Sequence, residues 1–244
     1  MSGIPAAVLF DLDDTLFAHR GAVARAIVVQ MDAVGFSSPD RAGDVALWHD
    51  LEERHYHSYL AGTLDFQGQR RARARDFAEA HGVVLAEAAA GAWFDDYFEH
   101  YRAAWMLHDD ALDALASLRS ARSDIRIGVI TNGDPVFQQS KLDTVGLTGL
   151  VDAIVASGSL GITKPDPRIF EYACAQLGVE TGDAVYVGDR LRTDAIGAAA
   201  AGMTGVWLNR SGVVPEATDA AEARELGVLE ISGLDELVGA LGAL

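Results

Sequence analysis

The chain has 244 residues, half of them hydrophobic, which is enough to bury one α/β core and carry a smaller accessory domain and is too apolar for disorder. Lys and Arg total 19 against 36 Asp and Glu, a formal charge of −17, and a field of that sign repels polyanions, so nucleic acid is excluded as the expected partner. Cys174 is the only cysteine, which rules out an intrachain disulfide and fits a reducing compartment, and no apolar run reaches the roughly 18 residues of a membrane helix, so the expectation is a cytoplasmic protein with no membrane partner.

Ala6–Phe10 is a short apolar run that ends in Asp11, Asp13 and Asp14, the pattern of a buried parallel strand delivering polar groups to its carboxyl end. From about Gly21 to Trp105, alanine, arginine and aromatics recur at helical spacing, predicting helices near 20–34, 40–60, 64–81 and 85–104. Beyond Trp105 the elements alternate. Helices are expected at 109–121, 135–145, 167–177 and 192–201, and strands at 125–130, 152–156, 184–187 and 204–208. A last strand at 228–231 and a helix at 234–241 follow a stretch, 211–225, that reads as loop with some helix. This rhythm predicts an α/β fold: a Rossmann-like, doubly wound parallel sheet (1–18 and 106–244) interrupted by an α-helical cap domain (19–105).

Ligands of open α/β sheets bind beyond the carboxyl ends of the strands, and four polar clusters are expected there. Asp11 and Asp13 lie two apart, so both can face one ligand only if the chain turns sharply after the strand. Two carboxylates in different surroundings suit divided labour, one a nucleophile and metal ligand, the other a general acid and base. Thr131-Asn132-Gly133 precedes Asp134-Pro135, a helix start whose N–H groups and Thr131 hydroxyl form a neutral anion cradle. Lys164 is held extended by Pro165 and supplies a fixed positive charge for a phosphoryl oxygen. Gly188-Asp189 ends a strand and Asp194 follows about one turn later, so Asp189 can reach a metal while Asp194 supports Asp189, Lys164 or a metal-bound water. Crowded carboxylates need a cation between them, and Mg²⁺, a hard ion that prefers oxygen ligands, matches.

Asp-x-Asp-x-Thr, Thr-Asn-Gly, Lys-Pro and Gly-Asp-x4-Asp, in that order at the ends of alternating elements, resemble the four motifs of the haloacid dehalogenase superfamily. The resemblance covers residues 1 to about 18 and 106–210. It implies Asp11 as nucleophile, Asp13 as general acid and base, and Thr131 and Lys164 on the phosphoryl oxygens. Mg²⁺ is implied between the Asp11 carboxylate, the Asp13 backbone carbonyl and Asp189, with Asp194 behind them. A helical insertion directly after the first motif is similar to the C1 cap group, whose members close over small substrates. Dehalogenases proper lack the second aspartate of the first motif, and phosphonatases bring a cap lysine; here Asp13 is present and the segment 21–105 holds no lysine. Phe10–Phe17 and Gly202–Arg210 look most like the house-cleaning nucleotidases and sugar phosphate phosphatases. The expected activity is therefore Mg²⁺-dependent hydrolysis of a small phosphorylated metabolite, a nucleoside monophosphate or sugar phosphate, by a monomer or homodimer.

Other readings stay open. A phosphomutase uses the same nucleophile, and a phospho-ligand binder or receiver-like signalling module also combines acids, Thr and Lys on an α/β sheet, although a receiver's phosphorylated aspartate follows a later strand. A P-loop NTPase is excluded, because the chain contains no Gly-x4-Gly-Lys-Ser/Thr. His19 and Arg20 follow the first motif closely enough to be expected near the leaving group. Trp48, His49, His55, Tyr56, His57 and Tyr59 read as helix packing and solvated faces, and Arg70, Arg71, Arg73 and Arg75 either meet a second anionic group of the substrate or pair with neighbouring acids.

Overall fold

Four residues, Ala7–Phe10 (β1), form the centre of the sheet and are buried throughout, as the unbroken apolar run requires when both faces are covered. The computed structural model of the chain describes residues 4–243. Around β1 lie β2 (Arg126–Thr131), β3 (Ala153–Ala156), β4 (Ala184–Gly188), β5 (Thr204–Leu208) and β6 (Leu229–Ile231), all parallel, in the order β3-β2-β1-β4-β5-β6. The sheet is an α/β Rossmann-like fold, and its order reverses between β1 and β4, the place where such sheets open a crevice. Phe10 pairs with Val129 on one side and Val187 on the other, so Asp11, Thr131 and Asp189 leave the sheet at one edge.

The chain divides into two compact units. One runs to Ala18 and resumes at Leu107; the other spans His19–Met106. The second unit consists of α1 (His19–Val34), α2 (Arg41–Leu60), α3 (Phe66–Ala80) and α4 (Glu87–Ala103). Its apolar interior is aromatic: Trp48, Phe77, Trp93, Phe94 and Tyr97 are buried, with the Trp48 ring in edge contact with Phe77 and Tyr97. Within it, Glu52 accepts from Arg73 at 2.8 Å and lies 3.6 Å from His19 and 3.9 Å from His49. Burial alone would raise the Glu52 carboxyl, but Arg73, with hydrogen bonds from His19 and His49, holds it well below its ordinary value.

The helices of the first unit are α5 (Ala111–Ala121), α6 (Pro135–Thr144), the single turn α7 (Ser157–Leu160), α8 (Pro167–Leu177), α9 (Gly197–Ala200), α10 (Ala217–Glu225) and α11 (Leu237–Gly242). Asp134 and Asp166 cap α6 and α8, accepting from Phe137 N–H at 2.9 Å and Arg168 N–H at 3.0 Å, each ahead of a proline in the first turn. The helix read from sequence over 192–201 begins instead as a wide turn of π-helical geometry, Leu191–Ile196, and only then becomes α9. In the stretch read as loop with some helix, α10 forms; none of its residues is fully buried, and Ala223 packs partly buried against Leu191, Ala195, Ile196 and Trp207. No helix among the described residues is long and apolar enough to cross a membrane.

Candidate active site

The chain turns sharply after β1. Asp14 adopts a left-handed conformation (φ 63°), Phe17 N–H donates to Leu12 C=O at 2.8 Å, and Asp14 N–H donates to Phe17 C=O at 2.7 Å. Arg210 clamps the turn from outside: it donates to Thr15 C=O at 3.1 Å and forks onto both oxygens of Asp110 at 2.8 Å each.

Asp11 sits at the strand end, 7% exposed, with Lys164 Nζ donating to its Oδ1 at 2.6 Å. The same ammonium donates to Asp194 Oδ1 at 2.7 Å and to the Tyr186 hydroxyl at 2.8 Å. Burial tends to lower the lysine, but Asp11 and Asp194 overcome that and hold it well above its ordinary value, so it stays charged. The Lys164 backbone is fixed by the Asn132 side chain, which accepts from its N–H at 2.9 Å and donates to its C=O at 3.1 Å. The peptide from Lys164 to Pro165 is cis.

One oxygen each from Asp11, Asp189 and Asp194 lies within 4.8 Å of the other two, the one group of metal-ligating side chains found among the described residues. Burial, with repulsion from its neighbours Asp194 and Asp13, pushes the Asp11 carboxyl up to about 7 in spite of Lys164. Asp189 rises to about 8, through burial first and then Asp11, Asp194 and Asp14. A cluster that one lysine leaves this short of positive charge fits a divalent cation with oxygen ligands. The backbone prepares the cluster: Asp194 Oδ2 accepts from Arg190 N–H at 2.9 Å, and Trp207 donates from Nε1 to Asp189 C=O at 3.0 Å. Gly188 is a close approach, since a Cβ there would lie 2.4 Å from the Asp194 side chain.

Asp13 points elsewhere. Its two carboxylate oxygens accept from Lys141 Nζ at 2.7 and 2.9 Å, and Oδ2 also accepts from Gln138 Nε2 at 3.1 Å. Gln138 Nε2 donates as well to Thr131 Oγ1, which leaves the Thr131 hydroxyl proton for another acceptor. Thr131 is 1% exposed. Gly133 N–H, expected to serve in the anion cradle, donates to Ser157 Oγ at 3.1 Å, and Asn132 is engaged with the Lys164 backbone. Gln138, Lys141, Tyr186, Ser157 and Trp207 were not singled out by the sequence. The composition did hold one signal: the 244 residues contain two lysines, Lys141 and Lys164, and each bonds an aspartate of the first motif.

His19 and Arg20 open α1 in the helical unit. His19 Nδ1 lies 2.9 Å from the Tyr101 hydroxyl, and Arg20 is exposed. The arginine run resolves into local contacts: Arg71 and Arg75 pair with Glu87, Arg73 with Glu52, and the Arg70 guanidinium lies 4.3 Å from the Phe66 ring centre and 4.7 Å from that of Phe98. His55 bonds Asp76 at 2.8 Å and His57 faces Glu53 at 3.6 Å, in keeping with helix packing and solvated faces.

Residues 5–202 match the family of haloacid dehalogenase-like hydrolases. The chain is 32% identical over 216 residues to N-acylneuraminate-9-phosphatase of Homo sapiens, covering 86% of this chain and 84% of that protein. It is 32% identical over 218 residues to glyceraldehyde 3-phosphate phosphatase of Methanopyrus kandleri, covering 84% of each. Among solved structures, the HAD-hydrolase YfnB of Bacillus subtilis bound to magnesium superposes with a TM-score of 0.76 at 20% identity, over 97% of this chain and 98% of that one, a likeness of fold. The chain belongs to the haloacid dehalogenase-like hydrolase family.

Proposed function

We propose that the chain is a Mg²⁺-dependent phosphatase that hydrolyses a small phosphorylated metabolite, a sugar phosphate or nucleoside monophosphate, through an aspartyl-phosphate on Asp11. One observation carries the reading: Asp11, at the end of the central strand, is bonded to a buried lysine and grouped with Asp189 and Asp194, while Asp13, two residues on, is held apart from that group by different partners. Two relatives at 32% identity are phosphatases of small phosphorylated metabolites, which supports the same class.

Asp11, Asp189 and the Asp13 backbone carbonyl would hold the cation, with Asp194 behind them. Bound there, Mg²⁺ would supply positive charge for the phosphoryl oxygens and would keep the Asp11 and Asp189 carboxylates ionised. The Asp11 carboxylate attacks phosphorus in line; the bond from phosphorus to the ester oxygen breaks, and Asp13 gives that oxygen a proton. Asp13 then takes a proton from water, the hydroxide oxygen attacks phosphorus, and the bond to Asp11 breaks to release inorganic phosphate. Lys164 and the Thr131 hydroxyl donate to the phosphoryl oxygens, and Asn132 fixes the Lys164 backbone.

The test is phosphate release from a panel of nucleoside monophosphates, sugar phosphates and a generic aryl phosphate, with and without Mg²⁺, beside Asp11→Asn. The reading expects release that requires both Mg²⁺ and Asp11. Full activity of Asp11→Asn overturns it.

A further inference from the structure

Lys164 has three N–H bonds and all three are assigned: to Asp11 Oδ1, to Asp194 Oδ1 and to the Tyr186 hydroxyl. The direction of the last is fixed by the neighbour. Tyr186 spends its own proton on Ile130 C=O at 2.9 Å, so its oxygen faces the ammonium as an acceptor. The Tyr186 ring is 0% exposed and stands edge-on to Phe170 at 5.1 Å, and burial holds its hydroxyl well above its ordinary value, so it remains neutral. A neutral acceptor adds no negative charge to a crowded anionic site, yet still occupies one N–H.

We infer that Tyr186 is a positioning residue for phosphoryl transfer: with Asp194 it forms a fixed two-legged mount that aims the third N–H of Lys164 at Asp11 and at the phosphoryl oxygen that arrives there. This rests on the proposed role of Lys164. A lysine has four rotatable side-chain bonds and, held by one carboxylate, would swing with it. Two anchors on β4 and the turn after it keep the ammonium in place when Asp11 exchanges its negative charge for a bond to phosphorus. The bond from Lys164 to Asp11 is then the one that moves to substrate, and those to Asp194 and Tyr186 stay.

The test compares wild type with Tyr186→Phe, which keeps the ring and its contact with Phe170. The readouts are kcat and KM on one good substrate, inhibition by vanadate, which copies the five-coordinate phosphorus, and by inorganic phosphate, which copies the ground state. Tyr186→Phe is expected to lower kcat about tenfold with KM nearly unchanged, and to weaken vanadate about tenfold while phosphate weakens about twofold or less. Circular dichroism fixes a temperature at which both proteins are folded. A folded Tyr186→Phe with wild-type kcat and vanadate inhibition overturns the inference, as does an equal loss for vanadate and phosphate, which marks a merely structural role. Should the phenylalanine variant not fold, fluorotyrosine at 186, a weaker acceptor of nearly the same shape, is expected to give a smaller loss in the same pattern, and no loss overturns it. Wild type with no phosphatase activity and no vanadate binding instead sinks the functional reading beneath it.

Discussion

At the scale of single residues, the site's chemistry is set by what each carboxylate touches. Asp11 meets Lys164, Asp189 meets two other acids, and Asp13 meets Lys141 and Gln138, so three residues of one type acquire three environments. Thr131 is held by Gln138 with its proton free to donate, and Thr131→Val is expected to lower kcat by about 10²–10³, read from initial rates on the best substrate. Gly188→Ala would thrust a methyl to 2.4 Å from Asp194; we expect a loss of roughly 1–3 kcal/mol in denaturant unfolding and of most activity, because Asp194 also anchors Lys164. The motif aspartates, Thr131 and Lys164 were legible only as a set: each alone reads as a plain strand end, turn or surface lysine, and it is their order at the ends of alternating elements that carries the resemblance. Tyr186 was not, since it lies in an unbroken apolar run where a tyrosine reads as core. Gln138 and Lys141 were not either: three apart on α6, they share the polarity of a solvated face while being 2% exposed each.

At the scale of elements, legibility followed burial. β1, β2 and β4 announced themselves as buried runs, and α8 by its apolar stripe. By contrast no residue of α10 is fully buried, leaving no periodic stripe to read, and α7 is a single turn, too short for any period. The π-helical turn after β4 was read as ordinary helix because the same residues suit both; what selects it is the Asp194 carboxylate closing on Arg190 N–H and Lys164. In the helical unit, the polar centre at Glu52 is a matter of stability. Removing its charge leaves Arg73, 3% exposed, without its carboxylate partner, so Glu52→Gln is expected to cost roughly 3 kcal/mol near neutral pH. The folded carboxyl lies below its unfolded value of 4.5, so this stabilisation is complete above that pH and is lost as pH falls through the depressed value. Unfolding curves of the two proteins should therefore converge in acid; a gap that stays constant down to pH 2 would contradict the assignment.

At the scale of the whole molecule, a chain with formal charge −17 gathers its only two lysines at the aspartates of one sheet edge. That local reversal of sign is what a phosphate ester requires of an acidic protein. It is incomplete without a cation, and the consequence is measurable. Asp11 and Asp189 are raised to about 7 and about 8 from 3.8, so the folded state binds protons that the unfolded chain has released, and this part of the stability falls as pH rises from 3.8 through those values. A divalent cation competes with those protons, so the rise in Tm on adding Mg²⁺ should be larger at pH 8 than at pH 5, measured by calorimetry at matched ionic strength. An equal rise at both would place the ion elsewhere.

The most direct test of the central claim is a single turnover with excess enzyme, quenched in acid, followed by peptide mass spectrometry. The account predicts a phosphoryl group on the carboxylate of Asp11 that appears and decays at rates compatible with turnover. Phosphate release with no such adduct, or an adduct on any other residue, would contradict it.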